Sequence, residues 1–356
     1  MMQGYNKTHI KAIGIMSGTS LDGLDVAAVN FSLQNEKWSF ELVEAETISY
    51  AEDWINKLQL ASSLSGEKLS QLHSEYGNYI GLKTIEFIKR TGFKPELIGS
   101  HGHTIFHQPE KGFTLQIGNG AEIAAITKTR TVADFRITDV ALGGQGAPLV
   151  PIGDQLLFSD YEFCLNLGGF ANVSYHQNNQ RIAYDICPVN FVLNYFAKKK
   201  GLAYDKNGEL GKQGKIHSEL LKELNGLRFY SQNPPKSLGR EWIEKEFYPI
   251  LNSFPISDLD KLRTIYEHIS IQISKITSEK GKMLITGGGA FNTFLKDRIK
   301  QHSTLEPVIP DAEIINFKEA LIFAFLGVLR INNKINCLSS VTGASKDSSC
   351  GVIYSA

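Results

Sequence analysis

Apolar and β-branched residues dominate positions 11–16 and again 24–31, and the segment between them, Ser17-Gly18-Thr19-Ser20-Leu21-Asp22-Gly23, is mostly small or polar. A short apolar run bounded by turn residues reads as buried sheet, so this pattern predicts strand, glycine-bearing turn, strand. Residues 38–48 supply a third, antiparallel strand. Leu69, Leu72, Tyr76, Ile80 and Phe87 then recur at helical spacing up to Gly92, which marks one apolar helix face and a glycine stop. Residues 97–101 follow as a strand parallel to the first, because a helix of that length is the usual parallel crossover.

The second half opens in the same way. Residues 163–167 are apolar, Gly168-Gly169 turns the chain, 171–176 continue as a strand, and 181–185 form a third. An amphipathic helix over 259–279, a strand over 283–286, the run Gly287-Gly288-Gly289, a helix from Phe291 and a last helix over 318–330 close this second domain. The glycine-rich stretch 142–148 reads as a mobile loop near the junction. The organisation predicted is α/β in two parts, 1–148 rejoined by the C-terminal 335–356, and 149–334.

Charge and composition exclude several classes of function. The 37 Lys and Arg balance the 37 Asp and Glu, which argues against a basic nucleic-acid binder and against an acidic tail. The longest uncharged apolar stretch, 320–329, is about half of a bilayer span, so no membrane partner is expected. Residues 1–11 are polar, without the apolar core of a secretory signal, and the expected location is the cytoplasm. The four cysteines form no C-x-x-C pair and read as reduced thiols.

Three glycine turns carry candidate chemistry. Around the first, Gly18, Thr19, Ser20, Leu21, Asp22, Gly23, Leu24 and Asp25 combine backbone N–H groups, hydroxyls and carboxylates. Such a set can cradle phosphate, with Asp22 orienting Mg²⁺ or its waters. No G-K-[ST] follows, so it is not a Walker loop; the same residues also suit a plain hairpin turn. Gly168 and Gly169 repeat the arrangement and could grip a triphosphate from the other side, or simply turn a hairpin. Gly287, Gly288 and Gly289, between strand and helix, let a flat ligand such as adenosine lie on bare backbone, or serve as an ordinary strand-helix turn. Separately, His101 and His103 form an H-x-H at a strand end, where imidazoles two apart face one way and can share a cation. His107 follows them, but His176, His217, His268 and His302 are scattered without a clear carboxylate partner.

The order of the three turns resembles that of the actin, sugar-kinase and heat-shock ATPase superfamily. Ser100-His101-Gly102-His103-Thr104, Leu115-Gln116-Ile117-Gly118-Asn119-Gly120, Val132-Ala133-Asp134-Phe135-Arg136, Gly143-Gly144-Gln145-Gly146-Ala147-Pro148 and Pro235-Lys236-Ser237-Leu238-Gly239-Arg240-Glu241 resemble the anhydro-N-acetylmuramic acid kinase family more narrowly. The resemblance runs from about Gly14 to the C-terminus. It implies a two-lobed actin-like ATPase fold with duplicated ribonuclease H-like mixed sheets and a cleft between the lobes. It also implies ATP and Mg²⁺ as cofactors, a homodimer, and a kinase that opens the 1,6-anhydro bond of its sugar with water while phosphorylating O6.

Residue by residue, the resemblance makes Asp185 the base that takes a proton from water; its position also suits a helix N-cap. Here the chain departs from the commonest family motif, Asp-Thr-Gly-Pro-Gly-Asn: Ile186, Cys187 and Val189 replace the Thr and both glycines, while Pro188 and Asn190 remain. A further aspartate common in the family is Asn194 here, and His103 stands where Gln is more frequent. Arg136 would pair with the sugar's lactyl carboxylate, or internally with Asp134 or Asp139. His101, Thr104 and Asn190 fall at sugar-side positions. Glu319 would contact the sugar or the water, or act as a first-turn carboxylate favoured by the helix dipole. Two other readings stay open: a nucleotide-binding module without catalysis, and a metal-dependent hydrolase built on His101 and His103.

Overall fold

The computed structural model describes residues 7–18, 21–277 and 279–356. β1 (His9–Ser17), β2 (Gly23–Gln34) and β3 (Lys37–Ser49) form the antiparallel meander that the alternation predicts. β4 (Leu97–Gln108) returns parallel to β1 after the helix Gly66–Thr91, whose C-terminal Gly92 is left-handed at φ 69°. β5 (Phe113–Ile117) folds back on β4, β6 (Thr131–Ala133) adds parallel to β4, and β12 (Val352–Tyr354) pairs antiparallel with β6. The hairpin of β4 and β5 carries no strong turn signal in the sequence.

The second sheet repeats the first. β7 (Phe163–Leu167), β8 (Phe170–Gln177) and β9 (Gln180–Pro188) form a meander, and β10 (Lys282–Thr286) and β11 (Glu306–Val308) extend it in parallel. The strand orders are β3-β2-β1-β4-β6-β12, with β5 on β4, and β9-β8-β7-β10-β11. Each is an antiparallel meander with two parallel strands added beside its first strand, which is the duplicated ribonuclease H-like arrangement of the actin-like ATPase fold.

By contacts the chain divides into Met1–Leu157 with Phe317–Ala356, and Phe158–Asn316; the sequence placed the switches at 148/149 and 334/335. Ile13, Ile15, Leu24, Val26, Tyr76, Ile80 and Phe87 pack one face of the first sheet against the helix Gly66–Thr91. The second unit has its own core around Leu165, Leu167, Phe196, Phe247, Ile265 and Ile285.

Two expectations are corrected. The last helix is longer, Ala312–Ile331, and from Phe317 onward it packs in the first unit instead of closing the second. It covers the other face of the first sheet, where Cβ atoms on Gly14 and Gly99 would stand 1.7 Å from the Ala320 carbonyl oxygen and 2.2 Å from that of Phe323. The helix therefore rests directly on strand backbone. The loop 142–148 is held and not free: buried Asp139 accepts the Gly146 N–H at 2.7 Å, its carbonyl accepts that of Gly144 at 2.9 Å, and Gln145 N–H reaches the Thr342 carbonyl at 2.8 Å. Smaller differences are helix ends: Asp258–Ser274 stops short of 279, and the helix after the third glycine turn is Thr293–His302, capped by Asn292.

Gly99→Ala is expected to destabilise the protein by about 3 kcal/mol through backbone overlap, read as a lower urea midpoint. Gly66→Ala, with nothing within 4 Å of the added carbon, should leave the midpoint level or raise it slightly.

Candidate active site

At the first turn, Gly18 follows β1 and accepts the Leu21 N–H at 3.3 Å, with Leu21 left-handed at φ 60°. Thr19 and Ser20 lie outside the described residues. Asp22 is exposed and Asp25 half-buried. Asp25 accepts the Thr47 hydroxyl at 2.6 Å; burial raises its pKa, Thr47 opposes this, and the Asp22 charge adds to it. Leu24 points into the core, and a Cβ on Gly23 would meet the Ile48 carbonyl at 2.6 Å. Those two shape the hairpin; among the described residues of the turn, Gly18, Asp22 and Asp25 are left as groups a ligand could reach.

Arg136 caps the short helix Ile137–Ala141 after β6. Its Nε and Nη2 donate to His101 Nε2 at 3.0 and 2.9 Å, and its Nη1 donates to the Gly146 carbonyl at 2.6 Å. His101 Nδ1 lies 2.9 Å from the Gly102 carbonyl, so the ring is neutral with its proton on Nδ1, the only tautomer that satisfies both contacts. Burial, and next the Arg136 charge, hold the His101 pKa well below its usual value. The internal pairings considered for Arg136 are otherwise engaged. Asp134 accepts the Tyr354 hydroxyl at 2.9 Å, and Asp139 accepts Thr342 Oγ1, Cys337 Sγ and Gly146 N–H. Arg136 is thus held by neutral acceptors, with its pKa lowered by burial to about 10. Three of its five N–H donors are used, and two remain for an anion.

Glu319 is not in a first turn, since its helix begins at Ala312. The carboxylate is exposed at its own surface yet crowded by protein; lost hydration raises its pKa, Arg136 opposes and Asp25 reinforces the shift. Thr104 accepts from Gln116 Nε2 at 3.3 Å on the β4 and β5 hairpin.

The H-x-H geometry is corrected. β4 slips against β1 between Ile15↔Ser100 and Ser17↔His103, with Gly102 at φ 72° as the extra residue. His101 therefore lies 4.6 Å from the Phe323 ring on one face, while His103 meets Tyr76 on the other. A hydroxyl chain ends on His103: Tyr76 Oη to Tyr50 Oη at 2.5 Å, Tyr50 to Ser17 Oγ at 2.7 Å, Ser17 to His103 Nδ1 at 2.8 Å. Tyr76 is fully buried, so each O–H is satisfied only if the protons run toward His103. That direction consumes the Nδ1 lone pair and puts the ring proton on Nε2. Neither imidazole offers a cation a free lone pair, and among the described residues no cluster of three or more metal-ligating side chains forms.

In the second unit, Asp185 lies in β9 at a bulge where Asn172 pairs with Asp185 but Ala171 pairs with Cys187. It is not a helix N-cap; Val189 holds that position for Asn190–Lys199. One carboxylate oxygen, Oδ2, accepts the Leu238 N–H at 2.8 Å, and the Asp185 N–H donates to the Lys236 carbonyl at 3.0 Å. Burial raises the Asp185 pKa and the Leu238 bond opposes it. Ile186, Cys187 and Val189 are buried in the hydrophobic core of this unit, so the three departures from the family motif project their side chains inward. Nothing in the composition of the 235–241 motif signals that its residues 236 and 238 bond to Asp185.

Leu167 organises the remaining turns. Its carbonyl accepts Asn190 Nδ2 at 3.0 Å, and Cβ atoms on Gly287 and Gly289 would meet Leu167 at 2.9 and 2.7 Å. Gly169 is likewise set by packing, since a Cβ there would stand 2.4 Å from the Phe191 ring, whereas Gly168 has only Asn166 Nδ2, at 3.2 Å, and a carbonyl near. Gly288 faces open space, its nearest neighbour being Asn190 Nδ2 at 3.7 Å. It borders a cavity of about 400 Å³ lined by Asn190, Tyr204, Lys206, Gly289, Phe291 and Asn292, among others, a volume suited to a nucleoside-sized ligand. Asn194, also in that wall, stands where the family often has Asp. Tyr204, Lys206 and Phe291 were not singled out, because scattered residues without spacing give no sequence signal.

The model of the anhydro-N-acetylmuramic acid kinase family matches residues 10–356. The chain belongs to the anhydro-N-acetylmuramic acid kinase family. Proteins of that name from Caldanaerobacter subterraneus subsp. tengcongensis, Mannheimia succiniciproducens and Vibrio cholerae are 34%, 36% and 35% identical to it. The alignments cover 97%, 96% and 96% of this chain and 96%, 98% and 97% of those proteins. A ROK family glucokinase from Streptomyces griseus, solved with glucose and AMPPNP, is similar over 89% of this chain and 99% of that one, at 10% identity and a TM-score of 0.41. In this member of the anhydro-N-acetylmuramic acid kinase family, His101 is expected to stay neutral as the Nδ1–H tautomer from pH 8 down to pH 5. Long-range ¹⁵N–¹H NMR of the imidazoles checks this, and a titrating Nε2 signal for His101 would contradict it.

Proposed function

We propose that this protein is an ATP-dependent sugar kinase of peptidoglycan recycling. It adds water across the 1,6-anhydro bond of anhydro-N-acetylmuramic acid and phosphorylates O6, giving N-acetylmuramic acid 6-phosphate and ADP. The observation that carries the reading is the family match along residues 10–356, and the retained Asp185, with one oxygen committed to Leu238 and the other open, supports it.

In this reading Asp185 takes a proton from water as the water oxygen bonds to the anomeric carbon. The bond from that carbon to O6 breaks, O6 attacks the γ-phosphorus, and the bridging bond to ADP breaks. Burial makes Asp185 a stronger base than a solvated aspartate. The two free donors of Arg136 bind the lactyl carboxylate, with His101 holding the guanidinium in place. Thr104 and Glu319 contribute further sugar contacts, and Asn190, bonded to the Leu167 carbonyl, helps wall the cavity beside Gly288. Backbone at Gly18 and Gly168 receives phosphate, and the cavity beside Gly288 receives adenosine. The exposed Asp22 and neighbouring Asp25 are oxygen donors of the kind Mg²⁺ takes, one or two carboxylates completed by water and phosphate. Mg²⁺ held there by Asp22 would draw charge from the phosphates. The reading includes a homodimer working in the cytoplasm, as the family resemblance implies.

ADP release should depend on the anhydro sugar, with a product heavier by one phosphate and one water on mass spectrometry; phosphate without water would remove ring opening. Asp185→Asn should lower kcat by roughly 100- to 10,000-fold with ATP binding retained by calorimetry. Arg136→Ala should lower kcat/KM for the sugar by roughly 10- to 100-fold without lowering the unfolding midpoint by a comparable free energy. The acid limb of kcat/KM should lie above the ordinary aspartate pKa, since Asp185 works deprotonated and burial raises the pH at which it gains its proton.

A further inference from the structure

We infer that residues 235–239 are the positioning element of the general base, and that Asp185 accepts its proton on Oδ1. The inference rests on the reading of Asp185 as the base.

The strap holds Asp185 at two points. The Lys236 carbonyl accepts the Asp185 backbone N–H at 3.0 Å, and the Leu238 N–H donates to Oδ2 at 2.8 Å. Backbone and carboxylate tip are thus gripped by residues two apart, which restricts both side-chain torsions. The strap is anchored in turn. Lys236 Nζ donates to the Phe229 carbonyl at 3.2 Å and stands 4.8 Å from the Phe229 ring and 5.6 Å from that of Tyr184, the residue before Asp185. Phe229 packs against Trp242 at 5.5 Å, just beyond the strap. With Oδ2 already accepting an N–H, the more basic oxygen is Oδ1, which accepts no hydrogen bond among the described residues. An N–H donated to the ionised carboxylate also favours the charged form, offsetting part of the burial that pushes Asp185 toward protonation. A main-chain group therefore favours the ionised base, which side-chain comparison does not show.

The proton balance follows the reaction above: Oδ1 gains the proton of water, the water oxygen bonds to the anomeric carbon, and the departing O6 receives the electron pair of the broken bond. Leu238 is a positioning residue here, since it acts through Asp185.

The test compares Leu238→Pro, which removes the N–H, with Leu238→Ala, which trims the side chain and keeps it. The pH profile of kcat/KM is measured for both. Relative to Leu238→Ala, the proline variant should move the acid limb up by about one pH unit and lower kcat about tenfold, with KM for ATP within twofold. An unmoved acid limb in a folded Leu238→Pro protein overturns the inference. If that variant does not fold, Lys236→Met decides, since it loosens the strap and leaves every backbone group. A several-fold fall in kcat with a raised acid limb supports the strap, and wild-type values of both overturn it. Asp185→Asn is measured alongside: full turnover there removes the reading of the base and this inference with it, whereas a dead Asp185→Asn beside an unmoved Leu238→Pro profile removes the strap alone.

Discussion

The first unit depends on one close approach, the helix Ala312–Ile331 lying on the backbone of β1 and β4 at Gly14 and Gly99. No side chain separates helix from strand there, so the helix cannot shift without moving the sheet. That contact sets Phe323 against His101 and carries Glu319 one residue before Ala320. Packing under Phe323 keeps His101 dry and neutral, and a neutral His101 can accept both Nε and Nη2 of Arg136. A guanidinium hydrogen-bonded to neutral partners keeps free N–H donors that a bidentate salt bridge would use. The setting of Arg136 is thus a consequence of helix-on-sheet packing several residues away.

In the second unit the corresponding constraint is Leu167. One apolar residue, packed against Gly287 and Gly289 and bonded through its carbonyl to Asn190, ties three chain segments into one wall. Gly288, between two glycines that serve packing, is left facing the cavity. The buried Asp205 underlies the same wall, accepting the N–H groups of Leu210 and Gly211 and the Tyr266 hydroxyl. Its carboxylate is engaged in structure, and it borders the cavity together with asparagine amides, the tyrosines Tyr204 and Tyr266 and Lys206.

Site residues were legible to different degrees. Asp185, Arg136 and the glycine runs could be named because family motifs place them in sequence. What each does locally could not be named so. Leu24 and Gly23 sit in the same motif as Asp22 and serve the hairpin alone. His101 and His103 are two apart, a spacing that predicts a shared face, but the extra residue at Gly102 sends them to opposite sides of the sheet. Tyr50 and Tyr76 are far from Ser17 in sequence, and only the assembled sheet and helix bring their hydroxyls into one chain.

By itself the sequence determined the doubled meander, the crossover helix after the first one and the family, since periodicity and motif order are local properties that a linear string preserves. The tertiary structure alone decided that the last helix joins the first unit, that the loop 142–148 is pinned by Asp139, that Arg136 lacks a carboxylate partner, and that Leu238 grips Asp185. The physical reason is the same in each case: these outcomes depend on hydrogen-bond satisfaction and steric contact between residues distant in the chain, where one bulge or one missing Cβ redirects a side chain without altering the pattern that predicts its element.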